Sequence, residues 1–138
     1  MPSSPPPTFH LVLVENDDND VFFIERALHR AGFRFTVTRL PDGEAAIDYF
    51  HRLEAAHDVP DLVLLDIQMP RRNGFEVLQW LRENPAFRRL PVMMLTSSDE
   101  PGDQSRARTL GADRFLTKKT DCHEVIEVLQ SLPRQRGT

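Results

Sequence analysis

Asp61-Leu62-Val63-Leu64-Leu65-Asp66-Ile67-Gln68-Met69-Pro70 contains four consecutive large apolar residues closed by a carboxylate. A half-buried strand alternates apolar and polar side chains, so an unbroken apolar run of this length points to a strand covered on both faces of a parallel sheet. Two more runs read the same way, Leu11-Val12-Leu13-Val14 and Val92-Met93-Met94-Leu95. Phe35 to Leu40 and Arg114-Phe115-Leu116 complete a set of five strand candidates.

Helical periodicity fills the intervals. Val21, Ile24, Leu28 and Ala31 step by three and four and make one apolar stripe, which Gly32 ends. Ala46, Ile47, Phe50 and Leu53 mark a second helix. Phe75, Leu78 and Leu81 mark a third, stopping before Pro85 because proline disfavours helical geometry in the residue before it. Residues 99–110 give a more polar fourth helix ending at Gly111, and Val125, Ile126, Leu129 and Leu132 a fifth, with Asp121 as its N-cap. Five βα alternations predict an α/β fold, a doubly wound five-stranded parallel sheet with helices on both faces. The expected strand order is 2-1-3-4-5, the flavodoxin-like order, with five helices.

The chain has 138 residues, 40% of them hydrophobic, which is enough for one domain with a sizeable core and no room for a second. Met1 to Thr8 carries four prolines and two serines, a composition expected of a disordered tail. The domain is expected to span residues 9–132, with 133–138 as a C-terminal tail. The net charge of −4 comes from 21 acidic and 17 basic residues without a basic stripe, so direct nucleic-acid binding is not expected. No apolar run approaches the ~18 residues of a membrane span, and no secretory leader opens the chain, so a cytoplasmic location is expected. Cys122 stands alone, and His10, His29, His51, His57 and His123 contain no pair with zinc-ligand spacing.

In a sheet of this order, ligands bind beyond the carboxyl ends of the strands where the order reverses, between strands one and three. Polar residues at strand ends are therefore the informative ones. Strand one runs into Glu15-Asn16-Asp17-Asp18, strand three into Asp66, strand four into Thr96-Ser97-Ser98 and strand five into Lys118-Lys119. Carboxylates gathered on one rim repel one another, and an all-oxygen set of this kind suits magnesium. Such a rim suits phosphoryl transfer, with Asp66 as nucleophile, Lys118 and the metal neutralising charge, and Thr96 donating a hydroxyl hydrogen bond.

Val14-Glu15, Asp61 through Pro70 with Gly74, Leu95-Thr96-Ser97, Gly111-Ala112-Asp113 and Lys118 occur in one order along nearly the whole chain. In this the chain resembles the receiver domain of bacterial response regulators. Leu13-Val14-Glu15 before the acidic turn, the extended linker before Pro60 and Leu95-Thr96-Ser97-Ser98-Asp99 resemble the stand-alone regulators associated with phytochrome-type sensor kinases. The resemblance implies a two-component phosphorelay protein in which Asp66 accepts a phosphoryl group from a sensor histidine kinase. It implies Mg2+ held by Glu15, Asn16, Asp66 and the Gln68 backbone carbonyl. Thr96 and Lys118 would meet the phosphoryl oxygens, and Thr96 with Phe115 would form the switch. Output to a downstream protein target would leave through the face of the fourth helix, fifth strand and fifth helix, and relatives of the phytochrome-linked type imply a homodimer.

Two positions depart from the family pattern. Asn16 places an amide where the family has a second carboxylate, which is the feature favouring an alternative, a phosphorylation-independent pseudo-receiver that acts as a binding module. Lys119 stands where receivers carry proline, so the Lys118-Lys119 bond is expected to be trans. An aspartate-nucleophile hydrolase would need a second acid at residue 68, which is Gln68, and no enzymatic activity is expected.

Overall fold

The computed structural model describes residues 8–69, 73–96, 101–117 and 123–131. Ten elements alternate: β1 (Phe9–Val14), α1 (Asp18–Arg30), β2 (Phe35–Leu40), α2 (Gly43–Ala55), β3 (Leu62–Asp66), α3 (Gly74–Glu83), β4 (Val92–Thr96), α4 (Pro101–Thr109), β5 (Arg114–Thr117) and α5 (His123–Ser131). The strands form one sheet in the order β2-β1-β3-β4-β5, with every pair parallel. The doubly wound, flavodoxin-like fold expected from the alternation is the one observed.

Side chains along each strand divide between two cores, because successive residues point to opposite faces. Val12, Val14, Val63, Leu65, Val92 and Met94 face α2 and α3, where Phe50, Leu78 and Leu81 are fully buried. Leu11, Leu13, Leu62, Leu64, Met93 and Leu95 face Ile24 and Leu28 of α1 and Val125 and Leu129 of α5. The central strands are apolar throughout because both faces are covered. Phe50 also meets Phe87 edge to face at 5.2 Å, which seals the end of α3 against α2.

Local chemistry sets the helix starts. The Asp17 carboxylate accepts from the N–H groups of Asn19 and Asp20, Asp42 from that of Ala45, and Asn73 forms a reciprocal capping box with Glu76. Several boundaries differ from the sequence reading. β1 begins two residues before its apolar run, since His10 pairs through its backbone and places its ring against Thr38 and Tyr49. Ala31 is not part of the buried stripe: it is the exposed C-cap of α1, and the chain then reverses at Gly32 with φ 83. Within the described residues α4 ends at Thr109, one residue before the expected Leu110, and buries only Ala107 among its described side chains. The Asp121 cap, Leu132, the terminal tails and the Lys118-Lys119 bond lie outside the described residues.

Candidate functional site

The carboxyl ends of β1, β3 and β4 bring three polar residues into the protein. Glu15 and Thr96 are completely buried, and Asp66 is 3% exposed. These are the only buried polar or charged side chains among the described residues. Burial of two acids and a hydroxyl costs free energy that apolar residues would not, so their place at the switch point calls for a chemical reason.

Asp66 is the last residue of β3 and lies opposite Leu95 on β4. Its Oδ1 accepts a hydrogen bond from the Gln68 N–H at 3.1 Å, which orients the carboxylate. The following backbone is fixed from two sides: Ile67 N–H donates to Leu95 O, and Gly74 N–H donates to Ile67 O, each at 3.0 Å. Gly74 opens α3 against the Asp66 main chain, an approach that no residue with a β-carbon could make.

Glu15 follows Val14, the partner of Leu65, so one step further along the register it stands beside Asp66. Neighbouring strands are about 4.8 Å apart. Two carboxylates so placed offer a divalent cation anionic oxygens from two strands. The rest of the turn is committed elsewhere. Asp17 caps α1, Asp18 pairs with Arg39, and Asn16 is exposed between Glu15 and Asp17. Asp17 therefore does not replace the carboxylate that Asn16 lacks.

The donor set that the resemblance implies, the Glu15 and Asp66 carboxylates, the Asn16 amide oxygen and the Gln68 carbonyl, consists of hard oxygens. Such a set fits magnesium, which takes one or two carboxylates and keeps several waters. Among the described residues, no group of three His, Cys, Asp or Glu side chains is arranged to hold a metal. Phe115 is half-buried on β5 and packs against the core on the α2 and α3 side. Lys118 and Ser97 lie outside the described residues.

Sequence reasoning missed Arg39. Its Nε donates to the Glu15 carbonyl at 3.1 Å, and its Nη1 pairs with Asp18, so one guanidinium from the end of β2 spans the β1–α1 turn. A basic residue one position before the end of a strand, with an acid-rich turn following the neighbouring strand, was the available signal.

The structure defines the class as an open parallel α/β domain with buried acids at the carboxyl edge of its sheet. Comparison with known proteins sharpens this. Residues 11–130 match the response regulator receiver domain. The chain is 31% identical over 125 residues to the probable methanogenesis regulatory protein FilR2 of Methanothrix harundinacea, covering 90% of this chain and 81% of that protein. Among solved structures, the bacteriophytochrome response regulator AtBRR is 31% identical with a TM-score of 0.76, covering 96% of this chain and 98% of that one. The Mn2+-bound form of response regulator Rcp1 is 28% identical with a TM-score of 0.73, covering 88% and 89%. The chain belongs to the response regulator receiver family of two-component signalling proteins, and its structural neighbours include phytochrome response regulators. Among the described residues, no helix is long and apolar enough to cross a membrane.

Proposed function

We propose that Asp66 is the phosphoryl acceptor of a single-domain response regulator, supplied by a sensor histidine kinase of phytochrome type. The observation that carries this is the buried Asp66 carboxylate, oriented by Gln68 N–H and placed beside buried Glu15 at the switch point. A carboxylate held in one geometry next to the donor's phosphorus gains the rate advantage of a fixed near-attack arrangement. One Asp66 oxygen forms the new O–P bond as the N–P bond of the donor phosphohistidine breaks, and the imidazole nitrogen keeps the bonding pair and takes a proton.

Glu15, Asn16, Asp66 and the Gln68 carbonyl would hold Mg2+, which when bound supplies positive charge against the phosphoryl oxygens. The Thr96 hydroxyl donates to a phosphoryl oxygen, and Lys118 adds a second cation. Thr96 and Phe115 then serve as the switch pair, because they lie on adjacent strands with Thr96 two residues beyond Met94, the partner of Phe115. The signal leaves by contact with a downstream protein rather than by catalysis. We read the protein as cytoplasmic and able to form a homodimer, with a domain over residues 9–132.

Incubation with acetyl phosphate and magnesium, followed by intact mass measurement, tests the assignment. One hydroxylamine-labile phosphoryl group is expected on the wild type and none on Asp66→Asn. A wild type that takes no phosphate would favour the pseudo-receiver reading that Asn16 raises.

A further inference from the structure

Arg39 is the next-to-last residue of the edge strand β2, and its side chain, turned to the 15–18 turn, is 33% exposed. The neighbouring residue, Leu40, accepts from the Glu15 N–H at 3.0 Å, so the end of β2 already grips the start of the β1–α1 turn. The guanidinium adds two contacts from one rigid plane, Nε to the Glu15 carbonyl and Nη1 to the Asp18 carboxylate. The turn is thus held at Glu15 and Asp18 by Arg39 and at Asp17 by the α1 cap, with Asn16 at its exposed apex.

We propose that Arg39 is a positioning residue for the ion site, fixing the 15–18 turn so that Glu15 and Asn16 are already in place when magnesium arrives. The inference rests on the reading of Glu15, Asn16, Asp66 and Gln68 as the magnesium set. A turn ordered in advance costs less conformational freedom on binding, and partners that orient ligands contribute to affinity without touching the ion. The planar fork matters as much as the charge. Lysine presents a single point charge and cannot hold a carbonyl and a carboxylate with the same geometry. The charge itself acts in the opposite direction, since a cation near the rim repels magnesium, and salt separates the two effects. At about 0.5 M salt the screening length falls to roughly 4 Å, while a geometric effect persists.

The experiment is a magnesium titration of the folded protein at that salt, followed by the backbone amide signal of Gln68, with unfolding midpoints measured alongside. Arg39→Gln and Arg39→Lys are both expected to weaken binding roughly three- to tenfold, with lysine giving no rescue. Asp18→Asn, which keeps Arg39 and its bond to Glu15, is expected to weaken binding about two- to threefold, and it carries the test if the Arg39 variants fail to fold. Wild-type affinity in Arg39→Lys, or equal or tighter binding in Arg39→Gln, would overturn the proposal, as would wild-type affinity in Asp18→Asn. Glu15→Gln separates this from the reading beneath it. Loss of binding in Glu15→Gln beside unchanged Arg39 and Asp18 variants rejects the role of Arg39 alone. Undiminished binding in Glu15→Gln, or no binding by the wild type, rejects the ion site and the role of Arg39 together.

Discussion

Gly74 and Asp66 meet so closely that a β-carbon on residue 74 would lie 2.3 Å from the Asp66 carbonyl oxygen and 2.9 Å from the Ile67 α-carbon. Both obstacles are backbone, so neither can swing aside. The start of α3 is therefore seated directly on the acceptor segment, and the capping box of Asn73 and Glu76 holds it there. Gly74→Ala should force Asp66, Ile67 and α3 apart, costing about 1–3 kcal/mol by overpacking. Because the displaced atoms carry the proposed nucleophile, phosphorylation by acetyl phosphate should slow by about tenfold or more, the scale expected when a reacting group is misplaced. Chemical denaturation beside a phosphorylation time course measures both. A variant that loses stability but keeps its rate would show that the seat is structural only.

Arg82 joins the end of α3 to two further segments, the entry to β4 and the α4–β5 turn. Its Nη1 donates to Leu90 O at 2.7 Å and to Arg88 O at 3.2 Å, its Nε to Gly111 O at 2.8 Å, and its Nη2 pairs with Asp113 at 3.0 Å. Asp113 in turn accepts from the Val92 N–H, so the end of α3, the entry to β4 and the α4–β5 turn close on one guanidinium. Removing it leaves the carbonyl of buried Leu90 and those of exposed Arg88 and Gly111 without this donor. Arg82→Ala should cost about 3 kcal/mol, and with a domain of this size the melting temperature should fall by about 10 °C. Lysine should restore little, because it cannot serve acceptors in several directions at once. Scanning calorimetry checks both variants.

The helix α4 has little else to hold it. Ala107 is its one buried residue among the described side chains, and Arg106 lies over the Phe75 ring at 4.4 Å. Phe75 follows Gly74, so this contact ties α4 to the helix seated on Asp66. A partly exposed cation–π contact contributes about 0.5–1 kcal/mol, so Arg106→Ala should raise hydrogen exchange in α4 by roughly two- to fivefold. The central strands should exchange as in the wild type. A uniform rise across the domain would mean that Arg106 supports global stability instead.

How far the sequence carried this reading differs between its parts for physical reasons. Leu62 to Leu65 declared a two-faced strand because burial on both sides removes polar alternation, and Asp66 stood out because a carboxylate ended that run. His10 hid the true start of β1, since backbone pairing is indifferent to a polar side chain that finds its own partners in Thr38 and Tyr49. Ala31 matched the spacing of α1 but not its burial, because the helix ends before that turn is complete. Arg39 and Arg82 were invisible for another reason. Their partners Glu15 and Asp113 lie 24 and 31 residues away, and no local pattern announces a contact that only the folded topology creates.

Asn16 is the position at which the proposed ion site departs from the family pattern, and the surrounding turn determines how much that matters. Asp17 cannot substitute for a missing carboxylate without uncapping α1, because its Oδ1 already receives the Asn19 N–H at 2.8 Å. Asp18 is engaged with Arg39. With Glu15 and Asp66 as the remaining anions, magnesium should bind more weakly than with a third carboxylate. A unit charge about 4 Å from a divalent ion is worth about 2 kcal/mol in bulk water and several times that in a protein interior. Asn16 is exposed, so the lower figure is the relevant one, and salt reduces it further. Asn16→Asp should therefore tighten magnesium binding by roughly tenfold, or about 1.4 kcal/mol, and should lower the magnesium concentration needed for half-maximal phosphorylation in proportion. The gain should shrink as salt rises, which distinguishes an added charge from an altered turn. Titrations of the two proteins at low and high ionic strength make the comparison. Equal affinities at low salt would show that residue 16 faces away from the ion, and the donor set would then reduce to Glu15, Asp66 and the Gln68 carbonyl.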